Sequence, residues 1–70
     1  MFEGFPRSVI EFLIDEWIVN MSNAERNRSI MKRRYIDGIT FEKLGEEFGM
    51  SDWQVKQIVR RCDDRIRNAR

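Results

Sequence analysis

The stretch "GITFEKLGEEFGMSDWQVKQIVRR", Gly38 to Arg61, holds two runs with helical spacing, and "FGMS" between them is too tight for a flexible linker. Thr40 suits an N-cap, because its hydroxyl can accept from a backbone N–H that the first turn leaves free. Glu42 follows in that turn, where the helix dipole favours a negative charge. The run is short and stops at Gly49. Ser51 and Gln54 then have the spacing of a capping box, which opens a second helix over about residues 52–67. Its Val55, Ile58, Val59, Cys62 and Ile66 recur at i, i+3, i+4, i+7 and i+11, the pattern of a buried stripe. Trp53, Lys56, Gln57, Arg60 and Arg61 fall on the opposite side.

Leu44, Gly45, Phe48, Gly49, Met50, Val55 and Ile58 have the types and spacing that let two helices pack nearly perpendicular across a tight turn. Gly45 is expected where the two helices meet and a side chain would hold them apart. Gly49 allows the turn, and Met50 plugs the angle beneath it. The combination predicts a helix-turn-helix.

Two more helices precede it. The first begins near Pro6, a residue tolerated in a first turn. It places Val9, Leu13, Trp17 and Met21 in one row with Ile10, Ile14 and Ile18 beside it, while Phe12 and Val19 fall off that face. Ser22 with Glu25 has the spacing of another capping box. The helix it opens turns Ile30, Met31 and Tyr35 inward and leaves Arg26, Arg28, Lys32 and Arg33 largely outside. Gly38 ends it, since glycine adopts the left-handed conformation at a helix end without strain. The expected fold is all-α: a compact unit of four helices, with residues 1–21 an N-terminal packing or dimerisation helix and residues 22–70 the helix-turn-helix domain.

Seventy residues form one small domain, in which only about 60% of the unfolded chain's surface can be buried, so a deep active-site cleft is not expected. One cysteine allows no internal disulfide, and the absence of histidine excludes Cys/His zinc sites and histidine acid–base catalysis. The reading is therefore of a non-enzymatic protein with no metal or cofactor. The longest apolar runs, "FLI" and "WIV", fall far short of the roughly 20 residues that span a bilayer, and no basic-then-apolar leader opens the chain, which points to a cytoplasmic protein with no membrane partner. The net charge of +1 hides an asymmetry. Residues 1–20 set Arg7 against Glu3, Glu11, Asp15 and Glu16, a balance of −3, whereas the rest of the chain carries +4. The two parts face different partners.

Residues from about Glu25 to Ile66 resemble region 4 of the sigma-70 family and the small regulators, many of them from phages, that share its helix-turn-helix. "RRYIDGITFEKLGEEFGMSDWQVKQI" follows the family's Arg-Tyr-x-x-Gly-hydrophobic-Thr lead, its Leu/Ile-Gly/Ala pair with acids after it, and its Ser-x-x-x-Val-Lys/Arg-Gln-Ile. The resemblance implies that the last helix enters the major groove of double-stranded DNA, with Trp53, Gln54, Lys56 and Gln57 as the base-reading candidates. Lys56 and Gln57 match the family pattern closely. Asp52, Trp53 and Gln54 depart from the Arg-Glu-Arg type of primary sigma factors, which bears on recognition of their standard promoter element. The chain has no room for the second DNA-melting domain of that family, so a regulator is expected, and RNA polymerase is a possible partner.

The side-chain chemistry agrees. In the major groove, Gln pairs bidentately with adenine, Lys reaches guanine acceptors, and Trp53 offers apolar contact to a thymine methyl or packs on the backbone. Arg60, Arg61, Arg65 and the basic residues of the second helix, Arg33 among them, are expected at phosphates, as is Thr40 at a helix N-terminus. Blander readings stand beside these. Trp53 also suits packing against the first helix or a neighbouring subunit, Arg26 to Arg34 a solvated face, and Glu46 with Glu47 a solvated pair. Cys62 reads as inert core. A second function class is a protein-interaction module that docks on RNA polymerase or a phage packaging protein. Finally, Phe12 and Val19 add an apolar patch beyond what one core needs, and this predicts a homodimer through the first helix.

Overall fold

Pro6 starts the first helix as its N-cap, in extended conformation, and its carbonyl accepts from Val9 and Ile10 N–H at 3.1 and 3.2 Å. The computed structural model describes residues 2–68; Met1 and the last two residues of the 22–70 unit lie outside the described residues. Four helices follow in order: α1 Arg7–Trp17, α2 Ala24–Tyr35, α3 Phe41–Phe48 and α4 Asp52–Asn68. There is no strand among the described residues. The all-α helix-turn-helix architecture expected from the sequence is the one observed.

In α1 the buried row is Ile10, Ile14 and Ile18, while Val9 and Trp17, expected on the covered face, are both 38% exposed. Rows four residues apart lie side by side on a helix, and only packing decides which one turns inward. α1 packs on α2 and α4 and not on α3. The helix also ends four residues earlier than its apolar spacing suggests. The chain leaves helical geometry at Ile18 (φ −92°, ψ 71°), Asn20 beyond it takes a left-handed φ of 57°, and Met21 packs against the core from the connection. Arginines from two other helices cap its last carbonyls. Arg28 donates to the Ile18 carbonyl at 2.8 Å, and Arg65 to those of Trp17 and Val19, each at 2.9 Å.

The capping box expected from Ser22 and Glu25 does not form. α2 is capped by Asn23, which sits in left-handed conformation (φ 58°) and makes no side-chain cap hydrogen bond. A capping box needs its serine in the N-cap position, and α2 starts one residue too late for that, with Asn23 as N-cap and Ser22 outside the helix. Ile30 and Met31 are fully buried, with Tyr35 partly so. Asn27 is also buried, its Oδ1 accepting from Arg26 Nε and Nη2 at 3.3 and 3.2 Å. At the far end, the Lys32 and Arg33 carbonyls take the N–H groups of Ile36, Asp37 and Ile39, while Gly38 (φ 69°) turns the chain.

α3 and α4 realise both caps read from the sequence. Thr40 Oγ1 accepts from Lys43 N–H at 3.2 Å. Ser51 N–H donates to Gln54 Oε1 at 2.9 Å, and Gln54 N–H returns to Ser51 Oγ at 3.1 Å. Gly49 ends α3 in left-handed conformation (φ 68°). Gly45 accepts at its carbonyl from Gly49 N–H and, at 2.8 Å, from Met50 N–H. Its role differs in detail from the expected one. A Cβ built on Gly45 runs into the Met50 carbonyl oxygen and comes within 3.4 Å of the Met50 and Ser51 carbonyl carbons, so it is the turn, rather than α4 itself, that the glycine admits.

One core joins all four helices: Phe2, Ile10, Ile14 and Ile18 pack in the same cluster as Ile30, Met31, Leu44, Val55, Val59, Cys62 and Ile66. Leu13, Met50 and Ile58 flank it partly buried. Because the turn at Gly45 is held by backbone that cannot swing aside, Gly45→Ala should lower stability by roughly 1–3 kcal/mol through overpacking, against the ~1 kcal/mol that alanine gains in helix propensity. Urea denaturation checks this, and an unchanged midpoint would contradict the close approach.

Candidate nucleic-acid interface

α4 carries its apolar stripe into the core and shows solvent the other side. Trp53, Lys56, Arg60 and Arg61 are exposed and Gln57 is half-buried. Trp53, at 65%, is the most exposed large apolar residue among those described. Its position one residue inside the capped N-terminus fixes the backbone beneath it. Arg60 and Arg61 make no ion pair among the described residues. The exposed side of α4 thus offers cations without ion-pair partners and an aromatic at its leading end.

Gln54 is placed differently from its expected base-reading role. Its Oε1 is committed to the Ser51 N–H, and bidentate pairing with adenine needs that oxygen as well as the amide nitrogen. Lys56 also has an intramolecular preference. Its Nζ lies 5.8 Å from the centre of the Phe41 ring, on which the Arg34 guanidinium stacks at 4.1 Å. Phe41 is the first residue of α3, next to Thr40, so Arg34 and Lys56 gather beside a helix N-terminus, where backbone N–H groups attract anions. No sequence signal marks this group, because its members come from three helices and no spacing relates them. Cation–π contacts of this kind contribute about 0.5–1 kcal/mol at exposed sites, enough to bias a lysine's position without fixing it.

Two arginines expected at phosphates are engaged within the fold. Arg33 forms a two-pronged pair with Glu47, one prong running Nε to Oε2 at 3.2 Å and the other Nη2 to Oε1, and it reaches Asp37 at 3.0 Å. These hydrogen bonds raise the Arg33 pKa and hold the Glu47 carboxyl below its ordinary value. Arg65 is the cap of α1 described above. Val19, expected at a dimer interface, is partly exposed and lines an open groove with Glu16, Trp17, Asn20, Arg65 and Asn68. Phe12 points away from the core, 63% exposed.

Burial also moves groups in the interior. It pushes the Cys62 thiol up to about 11, so the sulfur stays protonated and unreactive at neutral pH. Tyr35 rises above its ordinary value, first through burial and then through its hydrogen bond to Asp63 Oδ2 at 2.6 Å. Asp63 rises too, through burial, and its Oδ1 is buried without a partner.

A capped second helix set across a glycine turn from the first, with free cations along its exposed face, makes the chain a helix-turn-helix domain. Residues 24–68 match the model of the family described as Sigma-70, region 4, and the chain belongs to that family. A search of curated proteins and a search of solved structures each return no match. The family places the chain among DNA-binding, non-enzymatic domains of transcription, which accords with the resemblance read from its sequence. No helix among the described residues is long and apolar enough to cross a membrane.

Asp63 has a pKa raised on folding, so its ionised form opposes folding above that pKa, and the opposition is relieved as pH falls through it. Asp63→Asn keeps an acceptor for the Tyr35 hydroxyl and removes the buried charge. It should therefore raise the urea midpoint at pH 7, with the gain shrinking as pH is lowered toward the carboxylate range.

Proposed function

We propose that this chain binds double-stranded DNA sequence-specifically, with α4 in the major groove, and regulates transcription in the cytoplasm without catalysing a reaction. The observation that carries the reading is the exposed face of α4, where Trp53, Gln57, Lys56, Arg60 and Arg61 lie together on a helix whose leading end is fixed by a reciprocal cap. Trp53 and Gln57, one turn apart, meet base edges. Arg60 and Arg61 meet phosphates. Lys56 reaches from Phe41 either to the groove floor or to a phosphate held at the N-terminus of α3 with Thr40 and Arg34. Phosphate contacts set affinity and its salt dependence, and base contacts set sequence.

Gln57→Ala should weaken binding to a selected site by roughly 1–3 kcal/mol and leave binding to random DNA nearly unchanged, while Arg60→Ala or Arg61→Ala weakens both and flattens the salt slope by about one unit. Electrophoretic shifts at two salt concentrations measure each. Equal losses on both DNAs for Gln57→Ala would remove it from the reading face, and no shift on any duplex would favour a module that docks on RNA polymerase or another protein.

The same proposal extends to the oligomeric state. Phe5, Val9 and Phe12 are exposed on the N-terminal segment and α1, on surface the core does not use, and two copies paired through Phe12 and Val19 would cover part of it. Paired helix-turn-helix units reach two successive major-groove faces. Sedimentation equilibrium at micromolar concentration should return a dimer mass that Phe12→Glu reduces to the monomer. A monomer mass for the wild type overturns the dimer.

A further inference from the structure

Two exposed surfaces of the molecule carry a large aromatic, and their surroundings differ in charge. Phe12 on α1 is flanked by Glu11, Asp15 and Glu16. Trp53 on α4 has Lys56, Gln57 and Arg60 at its i+3, i+4 and i+7 positions, with Asp52 the acid beside it. An aromatic inside a cationic face suits a polyanion, and among the parts of duplex DNA that an α-helix touches in the major groove, one group is apolar: the C5-methyl of thymine.

We propose that Trp53 selects thymine by packing its indole on that methyl group, an inference that rests on the DNA-binding reading above. Three observations carry it. The indole is 65% exposed, so the fold does not need it as packing. The Ser51–Gln54 cap holds the backbone at its base, so the ring projects from a fixed point. Its nitrogen is a donor and it has no acceptor, so the exocyclic amine of cytosine or adenine brought against it is buried without a partner. Thymine presents a methyl group and an acceptor oxygen instead. Gln57 lies one turn further along the same face, about 6 Å of helix rise. The selected thymine therefore falls within about two base pairs of the position that Gln57 reads.

The test uses the full chain and a duplex selected by it from a random pool. Each thymine is replaced in turn by deoxyuridine, which removes the methyl group and leaves every hydrogen-bonding atom. One replacement should weaken wild-type binding by about fourfold, the worth of one buried methyl group, and this sensitivity should vanish in Trp53→Ala. 5-Methylcytosine placed at that position should bind more tightly than cytosine, again in the wild type alone. Gln57→Ala should relax specificity within two base pairs of that thymine and keep the methyl sensitivity. Replacements that are all neutral, a selected site without thymine, or a Trp53→Ala protein as methyl-sensitive as the wild type would each overturn the assignment while leaving DNA binding in place. A wild-type protein that shifts no duplex would overturn the parent reading with it.

Discussion

The close approach of Gly45 to the Met50 carbonyl is the constraint on which the rest of the molecule depends. It brings the turn against α3 with backbone touching backbone, and so sets where α4 begins and at what angle it leaves. From that angle follow the burial of Val55, Val59, Cys62 and Ile66 and the exposure of the opposite side of α4. Lys56 reaches the Phe41 ring only because α4 crosses beside the start of α3. A side chain at Gly45 would thus disturb the core and the exposed face together, in a domain whose whole stability is of order 5–15 kcal/mol.

The basic residues divide into two groups by what they touch. Those of α2 hold the fold together: Arg28 caps α1, Lys32 pairs with Asp15 at 2.8 Å, Arg33 ties α2 to Glu47 of α3, and Arg34 donates to the Ile39 carbonyl at 3.0 Å. Arg65 of α4 joins this group through the end of α1. Exposed ion pairs such as Lys32–Asp15 contribute at most about 1 kcal/mol each. The arginine caps are worth more to the architecture, because they satisfy carbonyls at a helix end that has no following backbone partner. Lys56, Arg60 and Arg61 form no ion pair among the described residues. The run from Arg28 to Arg34 serves chiefly to keep the helices in register.

Legibility in the sequence followed the range of the interactions. Thr40, the Ser51–Gln54 box, Gly49 and the α4 stripe were readable because each is set within a turn or two of chain. The Ser22–Glu25 box had the right letters and failed, since α2 starts one residue later and Asn23 rather than Ser22 is its N-cap. Which α1 row faces inward was not readable, because Val9 and Ile10 are equally apolar and the choice belongs to α2 and α4. The same limit applies to the cations. Arg65 and Arg33 look free in sequence, and their partners lie 48 and 14 residues away. Nothing in the sequence around Phe41 points to Arg34 and Lys56, and only the three-dimensional crossing places them around its ring.

On the DNA-binding reading proposed above, the N-terminal end of α4 couples stability to specificity through Gln54. Its side chain sits where a base reader belongs in a groove-bound helix, yet its oxygen closes the cap that orders Trp53 and Gln57. Replacing the Gln54 side chain removes the acceptor of the Ser51 N–H but leaves the bond from the Gln54 backbone N–H to Ser51 Oγ, so half of the cap is lost, at a cost that is part of the about 1 kcal/mol a helix N-cap contributes. The penalty falls on the first turn of α4, and a frayed first turn moves Trp53 with it. Changes at Trp53 or Gln57 carry no such penalty, because neither side chain takes part in the cap. On the proposed reading of α4, target preference is free to change at positions 53 and 57 and is constrained at 54.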